Sequence, residues 1–140
     1  MARYVALLRA VNVAGHARVS ADELARVFER AGAREVSSFG HAGNLVFSAA
    51  KAPAAIVARV RDAIHRLHGE RPVIVVRSAI EILDLLAADP FARCGARASD
   101  KLYVVFLTRK ARKLPALPIV SRVERLEAVS YTHLTLPTKA

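Results

Sequence analysis

The stretch YVALLRAVNVAGHARVSADELARVFERAGAREVSSFGHAGNLVFS, from Tyr4 to Ser48, limits the possible folds more than any other part of the chain. It passes from a strand-like apolar run to a helical period and then to two further strand-like runs, with glycines near the changes. A first strand is expected over Arg3 to Leu8. A helix opens at Ser20, where Glu23 stands three residues on, the capping-box spacing in which each side chain bonds the other residue's amide. Leu24, Val27, Phe28 and Ala31 then share one helical face, and Gly32 suits the left-handed stop that ends it. A second strand over Glu35 to Phe39 turns at Gly40-His41-Ala42-Gly43 into a third over Asn44 to Ser48.

The pattern then continues with a second helix and a fourth strand. Pro53 fits a helix start, Ile56, Val57, Val60, Ile64 and Leu67 make an apolar stripe, and Gly69 closes it before a strand over Pro72 to Val76. The order is β-α-β-β-α-β, that of the ferredoxin-like split βαβ unit. Its strand runs exclude a helical bundle, and its tight two-strand turn excludes half of a dinucleotide-binding fold. The expected class is therefore α+β, with a ferredoxin-like unit over residues 1–77 followed by part of a second α+β subdomain over residues 78–128. In that second part, Ser78 and Glu81 repeat the capping spacing, and Ile80, Leu83, Leu86 and Ala87 form the expected apolar face. Asp89-Pro90 breaks the helix, and Lys101 to Leu107 reads as a fifth strand. YVALL, VIVV and LYVVFL are apolar at successive positions, which implies strands covered on both faces. The second subdomain or a partner chain is expected to supply the second cover.

Composition narrows the function classes. The chain has 140 residues, 54% hydrophobic and 24% charged, values of a globular protein. Its apolar runs fall short of the roughly 18 residues of a membrane span, and MARYVALLRA lacks the apolar centre of a secretory signal. Cys94 has no partner for an internal disulfide, so a cytoplasmic location without membrane association is expected. The net charge is +10, from 22 Lys and Arg against 12 Asp and Glu, which favours polyanionic partners. An excess of Ala and Arg is also what GC-rich coding produces. Candidate nucleic-acid contacts are Arg109, Lys110, Arg112 and Lys113, with Arg59, Arg61 and Arg66 on the second helix; the competing reading is a solvated basic surface. An RNA-recognition motif has the same element order, with aromatics on strands one and three, where Tyr4 and Phe47 stand here. The RNP1 pattern of that motif is missing, and a doubly covered sheet would hide a stacking platform.

The segment ALLRAVNVAGHARVSADELARVFERAGAREVSSFGHAGNLVF resembles the opening signature of the bacterial family called domain of unknown function 1697. That signature runs approximately ALLRGINVGG, a helix, then a Y-I-Q-S-G-N-V-V-F hairpin. Asp89-Pro90-Phe91 and the LYVVFL run fit its later pattern, so the resemblance covers roughly Met1 to Leu107. Ala10 stands where the family usually has Gly, Ala14 replaces the first Gly of a pair, and His41-Ala42 replaces Gln-Ser. The resemblance implies a fold and a surface but no reaction. The closing VSYTHLTLPTKA resembles adapter read-through, so residues 129–140 are expected to be a non-native tail on a chain cut short near Ala128; the alternative is a real terminal strand.

In a split βαβ unit, the loop after strand one, the hairpin between strands two and three and the loop before strand four meet at one end of the sheet. Here those segments carry Arg9, Asn12, His16 and Arg18; His41, Gly43 and Asn44; and His68, Glu70 and Arg71. The first helix starts at the same end with its positive dipole. Arg9, Asn12, His16, Arg18, His41, Gly43 and Asn44 are thus the candidate site for a small anionic ligand. The competing reading makes the asparagines turn formers and Arg9 the partner of a carboxylate. His16, His41 and His68 match no compact metal motif. Cys94, in an Arg-containing loop, reads more simply as a small loop residue than as a nucleophile. No P-loop, dinucleotide fingerprint, nucleophile elbow or carboxylate pair is present, so no cofactor is expected. The leading expectation is a non-enzymatic binding module. The alternatives are an enzyme with a site between the two subdomains and a non-specific nucleic-acid binder. No oligomeric state is implied.

Overall fold

The first strand, β1 (Ala2–Arg9), lies inside the sheet and pairs on both sides. The structure, a computed structural model, describes residues 1–9, 18–40, 43–109, 112–113, 115–123 and 126–128. After β1 come α1 (Ala21–Arg30), β2 (Arg34–Phe39), β3 (Asn44–Ala49), α2 (Ala54–His68) and β4 (Val73–Ser78). These four strands form one antiparallel sheet in the order β2-β3-β1-β4. That order is the ferredoxin-like arrangement, and the fold class is α+β. The ladder between β1 and β3 runs from Ala2↔Ala49 to Leu7↔Asn44, and that between β1 and β4 from Tyr4↔Ser78 to Arg9↔Val73.

Local chemistry sets the element ends. Ser20 caps α1 by accepting the Glu23 amide at 3.1 Å. The Glu23 carboxylate bonds His68 rather than completing the expected capping box. Gly32, at φ +110, and Gly69, at φ +80, hold the left-handed conformations just past α1 and α2, where a Cβ would be strained. Arg59 of α2 donates to the Ala31 carbonyl at 3.0 Å, satisfying an acceptor at the C-terminal end of α1. Beside β4, Arg61 Nε donates to the Pro72 carbonyl at 3.1 Å, and Arg77 donates to Val76 at 2.9 Å.

Both helices lie on one face of the sheet. There Ala6, Leu8, Leu45 and Phe47 of the strands pack with Leu24, Val27 and Phe28 of α1 and Ile56, Val60 and Ile64 of α2. The Phe47 ring sits 5.4 Å from Phe28 and 5.6 Å from Tyr4, centroid to centroid. Such aromatic contacts add to the burial of the rings themselves. The two aromatics that would form an RNA-stacking platform therefore belong to the core. On the opposite face, Val5, Leu7 and Val46 are half-buried and Val75 is buried. This second apolar set explains why β1 and β4 lack simple alternation.

One irregularity breaks the β2–β3 ladder between Arg34 and Ser37. Glu35 lies there in the left-handed region at φ +50. Its carboxylate accepts from Arg3 at 2.8 Å and from the buried Ser48 hydroxyl at 3.1 Å. These contacts hold a bulge that a non-glycine residue would otherwise resist.

The chain divides into two compact units, one built on Met1–Ala79 and one within Ile80–Leu136. A third helix, α3 (Ala79–Ala88), ends before Asp89-Pro90. Its buried residues are Glu81 and Leu85, whereas Ile80, Leu83 and Leu86 are 63–70% exposed and Ala87 is exposed as well. The expected apolar face is thus the open one. The spacing puts Glu81 and Asp84 together on the polar side of the helix, yet Glu81 is buried with Leu85, so packing rather than spacing decides which face is covered. The fifth strand expected over Lys101 to Leu107 is not formed. A β-branched run becomes a strand where a neighbour offers a ladder. In this unit the described ladder joins β5 (Ile119–Ser121) to β6 (Leu126–Ala128). Residues 129–140 lie outside the described residues.

Two substitutions test this account. Phe47→Ala empties the centre of the ring cluster and is expected to cost about 3–5 kcal/mol in urea unfolding. At the bulge, Glu35→Ala keeps the backbone strain and loses the Arg3 and Ser48 contacts, for a cost of about 1 kcal/mol. Glu35→Gly removes the strain as well and should unfold at higher urea than Glu35→Ala; the reverse order would remove φ from the explanation.

Candidate functional site

The ladders bring β1, β3 and β4 together at the end of the sheet where β1 finishes. Leu8 donates its amide to the Gly43 carbonyl at 3.1 Å, Leu7 faces Asn44, and Arg9 faces Val73. Of the sequence candidates, Arg9, Gly43 and Asn44 are thus neighbours. Gly43 is buried at φ +77, a backbone conformation that favours glycine at this turn. Asn44 is half-buried and Arg9 is exposed. Arg18 is exposed just ahead of the Ser20 cap. Asn12, His16 and His41 lie outside the described residues.

The electrostatics differ from the simple helix-dipole expectation. The Glu23 amide is already taken by Ser20, and Asp22 and Glu23 place two carboxylates in the first turn of α1. Those charges offset the dipole that would attract an anion. His68 is also committed: its Nε2 lies 2.9 Å from Glu23 Oε1, with the two side chains 23% and 31% exposed. The pair ties the last turn of α2 to the first turn of α1. Arg71 pairs with Asp62 at 3.3 Å. Among the described residues, Arg9 and Arg18 have no carboxylate partner, so the attraction for an anion rests on them.

Phe39 is a further residue at this end that the sequence candidates omitted. It pairs with Asn44 across the hairpin and is 47% exposed. The only sequence signal for it was its parity with Asn44 around the turn, which puts both on one face.

The remaining candidates separate by use. Arg59 and Arg61 are engaged with main-chain carbonyls. Arg66, Arg109, Arg112 and Lys113 are exposed, and Lys110 lies outside the described residues. The half-buried Cys94 directs its thiol to the Phe91 carbonyl at 3.1 Å. No group of three or more His, Cys, Asp or Glu side chains that could hold a metal ion occurs among the described residues. A shallow apolar groove runs between α2 and β4, lined by Pro53, Val57, Ala58, Ile74 and Val76, with Arg61 as its charged residue. Among the described residues no helix is long and apolar enough to cross a membrane.

A family model described as protein of unknown function, DUF1697, matches residues 1–133. The chain belongs to the DUF1697 family. Within this DUF1697 chain, the ALLR and GN-L-VF segments that carry the resemblance are the end of β1 and the start of β3, neighbours in the sheet. A solved structure, that of the conserved bacterial protein SP0830 from Streptococcus pneumoniae, is similar with a TM-score of 0.57 and 23% identity. The match covers 66% of this chain and 52% of that one, so this chain spans about half the length of that protein. At such identity the likeness shows the fold. Among curated proteins none matches this DUF1697 chain.

The His68–Glu23 tie predicts energetic coupling. Urea unfolding of Glu23→Ala, His68→Ala and the double variant should give a coupling energy of about 1 kcal/mol. Strictly additive losses would mean that the two side chains act independently.

Proposed function

We propose that this DUF1697 chain is a non-enzymatic, cytoplasmic binding module that takes a small anionic ligand beside Arg9, Gly43 and Asn44. The observation that carries this reading is the position of Arg9. It ends the strand that pairs on both sides, is exposed, and has no carboxylate partner among the described residues. Arg3 and Arg71, by contrast, are held in ion pairs. A guanidinium offers paired N–H donors to a phosphate or carboxylate, and the adjacent Asn44 amide can add a hydrogen bond. The single cysteine of the chain supports the cytoplasmic placement.

Non-specific nucleic-acid binding is the second reading. The exposed Arg109, Arg112 and Lys113 support it, while the carbonyl contacts of Arg59 and Arg61 weaken the contribution of α2.

The test is titration of inorganic phosphate, followed by amide shifts of Gly43 and Asn44 in NMR spectra. Saturable shifts are expected, and Arg9→Ala should weaken binding at least tenfold, about 1.4 kcal/mol, with the melting temperature little changed. Phosphate binding that survives Arg9→Ala would move the site elsewhere. Oligonucleotide binding should be measured at about 50 and 200 mM salt. Loss of about 10³–10⁵ in affinity over that range, the mark of six to ten phosphate contacts, would favour the second reading.

A further inference from the structure

The face of the sheet opposite α1 and α2 ends in an unusual set of neighbours. Across the ladders Phe39 faces Asn44, Asn44 faces Leu7, and Leu7 faces Val75; two residues along β1, Arg9 faces Val73. Residues paired across antiparallel strands share a face, so Phe39, Asn44, Leu7, Arg9 and Val73 lie on one side. That side is opposite the core, because Ala6, Leu8, Leu45 and Phe47 occupy the helix side. Among the described residues of the first unit the exposed large apolar ones are Met1, Phe39, Leu67 and Val73. Two of these four flank Asn44 and Arg9.

We infer that this patch is a site for a planar aryl group bearing an anionic substituent, a phosphate or a carboxylate. The inference rests on the anion-binding reading above and specifies its ligand. Phe39 is 47% exposed, which leaves part of its ring available for stacking; Leu7 is half-buried two strands away, and Val73 flanks Arg9 on the strand beyond. Asn44, between Phe39 and Leu7, offers both a donor and an acceptor to the edge of the ligand ring. Arg9 supplies the charge. Two strand spacings separate the Phe39 and Leu7 backbones by about 10 Å, and Arg9 lies about 7 Å further along β1. Both side chains are long enough to close much of that span. A one- or two-ring ligand with its anion directly attached fits the remainder, whereas a bare phosphate reaches only the Arg9 half.

The size of the patch argues for a small molecule. Immediately behind it, Val5 and Val46 are half-buried and Val75 and Ser48 are buried. Among the described residues the exposed surface is therefore a few residues across, well short of the roughly 800 Å² per partner of a standard protein interface.

The experiment uses 1-naphthyl phosphate as probe, with inorganic phosphate and uncharged 1-naphthol as the other arms, on the full chain. The chain contains no Trp, so naphthyl fluorescence is read with little background. The expected result is that 1-naphthyl phosphate binds at least tenfold more tightly than phosphate, the scale of one aromatic stacking contact. Phe39→Ala and the bulk-retaining Phe39→Leu should both reduce that advantage, with phosphate affinity and melting temperature nearly unchanged. Arg9→Ala should weaken both anions. Equal affinity for naphthyl phosphate and phosphate, or indifference to both Phe39 variants, overturns the aryl site and leaves the anion reading standing. Equal binding of 1-naphthol overturns the pairing of ring and charge. Failure of both anions to bind overturns the aryl site and the anion reading together.

Discussion

The register of β1 against its two neighbours is the constraint on which the rest of the first unit depends. Because side chains alternate along a strand, a slip of one residue would exchange the two faces of the sheet. Ala6 and Leu8 would leave the helices, and Leu7 and Arg9 would turn into the core. The apolar demand of α1 and α2 therefore fixes more than stability: it decides that Arg9 and Asn44 emerge on the same face, opposite the helices. Core packing and the candidate site are two results of one alignment.

A second consequence concerns how the arginines are used. The positive balance suggests a surface ready for polyanions, yet several guanidiniums have specific internal work. Arg59 closes the end of α1, Arg3 holds the Glu35 bulge with Ser48, and Arg71 pairs with Asp62. These contacts replace missing main-chain or ionic partners and give no general affinity for phosphate. Arg9 and Arg18, which have no carboxylate partner among the described residues, are distinguished by position, not by number.

Much of the first unit was legible because its signals were local and agreed with one another. Ser20, Gly32 and Gly69 mark helix ends by their own conformational chemistry, and the tight turn between two strand-like runs forces a hairpin. The second unit was less legible. On α3 Glu81 and Asp84 share a polar side, yet Glu81 is buried, so which face is covered depends on packing that spacing does not encode. The run at Lys101 to Leu107 has strand composition, but composition does not provide a ladder. At the site, Arg9, Gly43 and Asn44 followed from topology, whereas Phe39 required the pairing register. The Glu23–His68 contact joins residues 45 positions apart and competes with a local capping pattern that was the simpler expectation.

The contacts beside β4 also bear on solubility. With β2, β4 is one of the two outer strands of the sheet, and a strand from another molecule could add beside it. The carbonyls of Pro72 and Val76, near its two ends, are already held by Arg61 and Arg77. An incoming strand would have to displace those guanidiniums, and would bring its own backbone up to two fixed positive charges in doing so. Side chains that finish the hydrogen bonding of one molecule thereby discourage it from templating the next. Two of the carbonyls along this apolar VIVV margin are thus closed to an incoming strand.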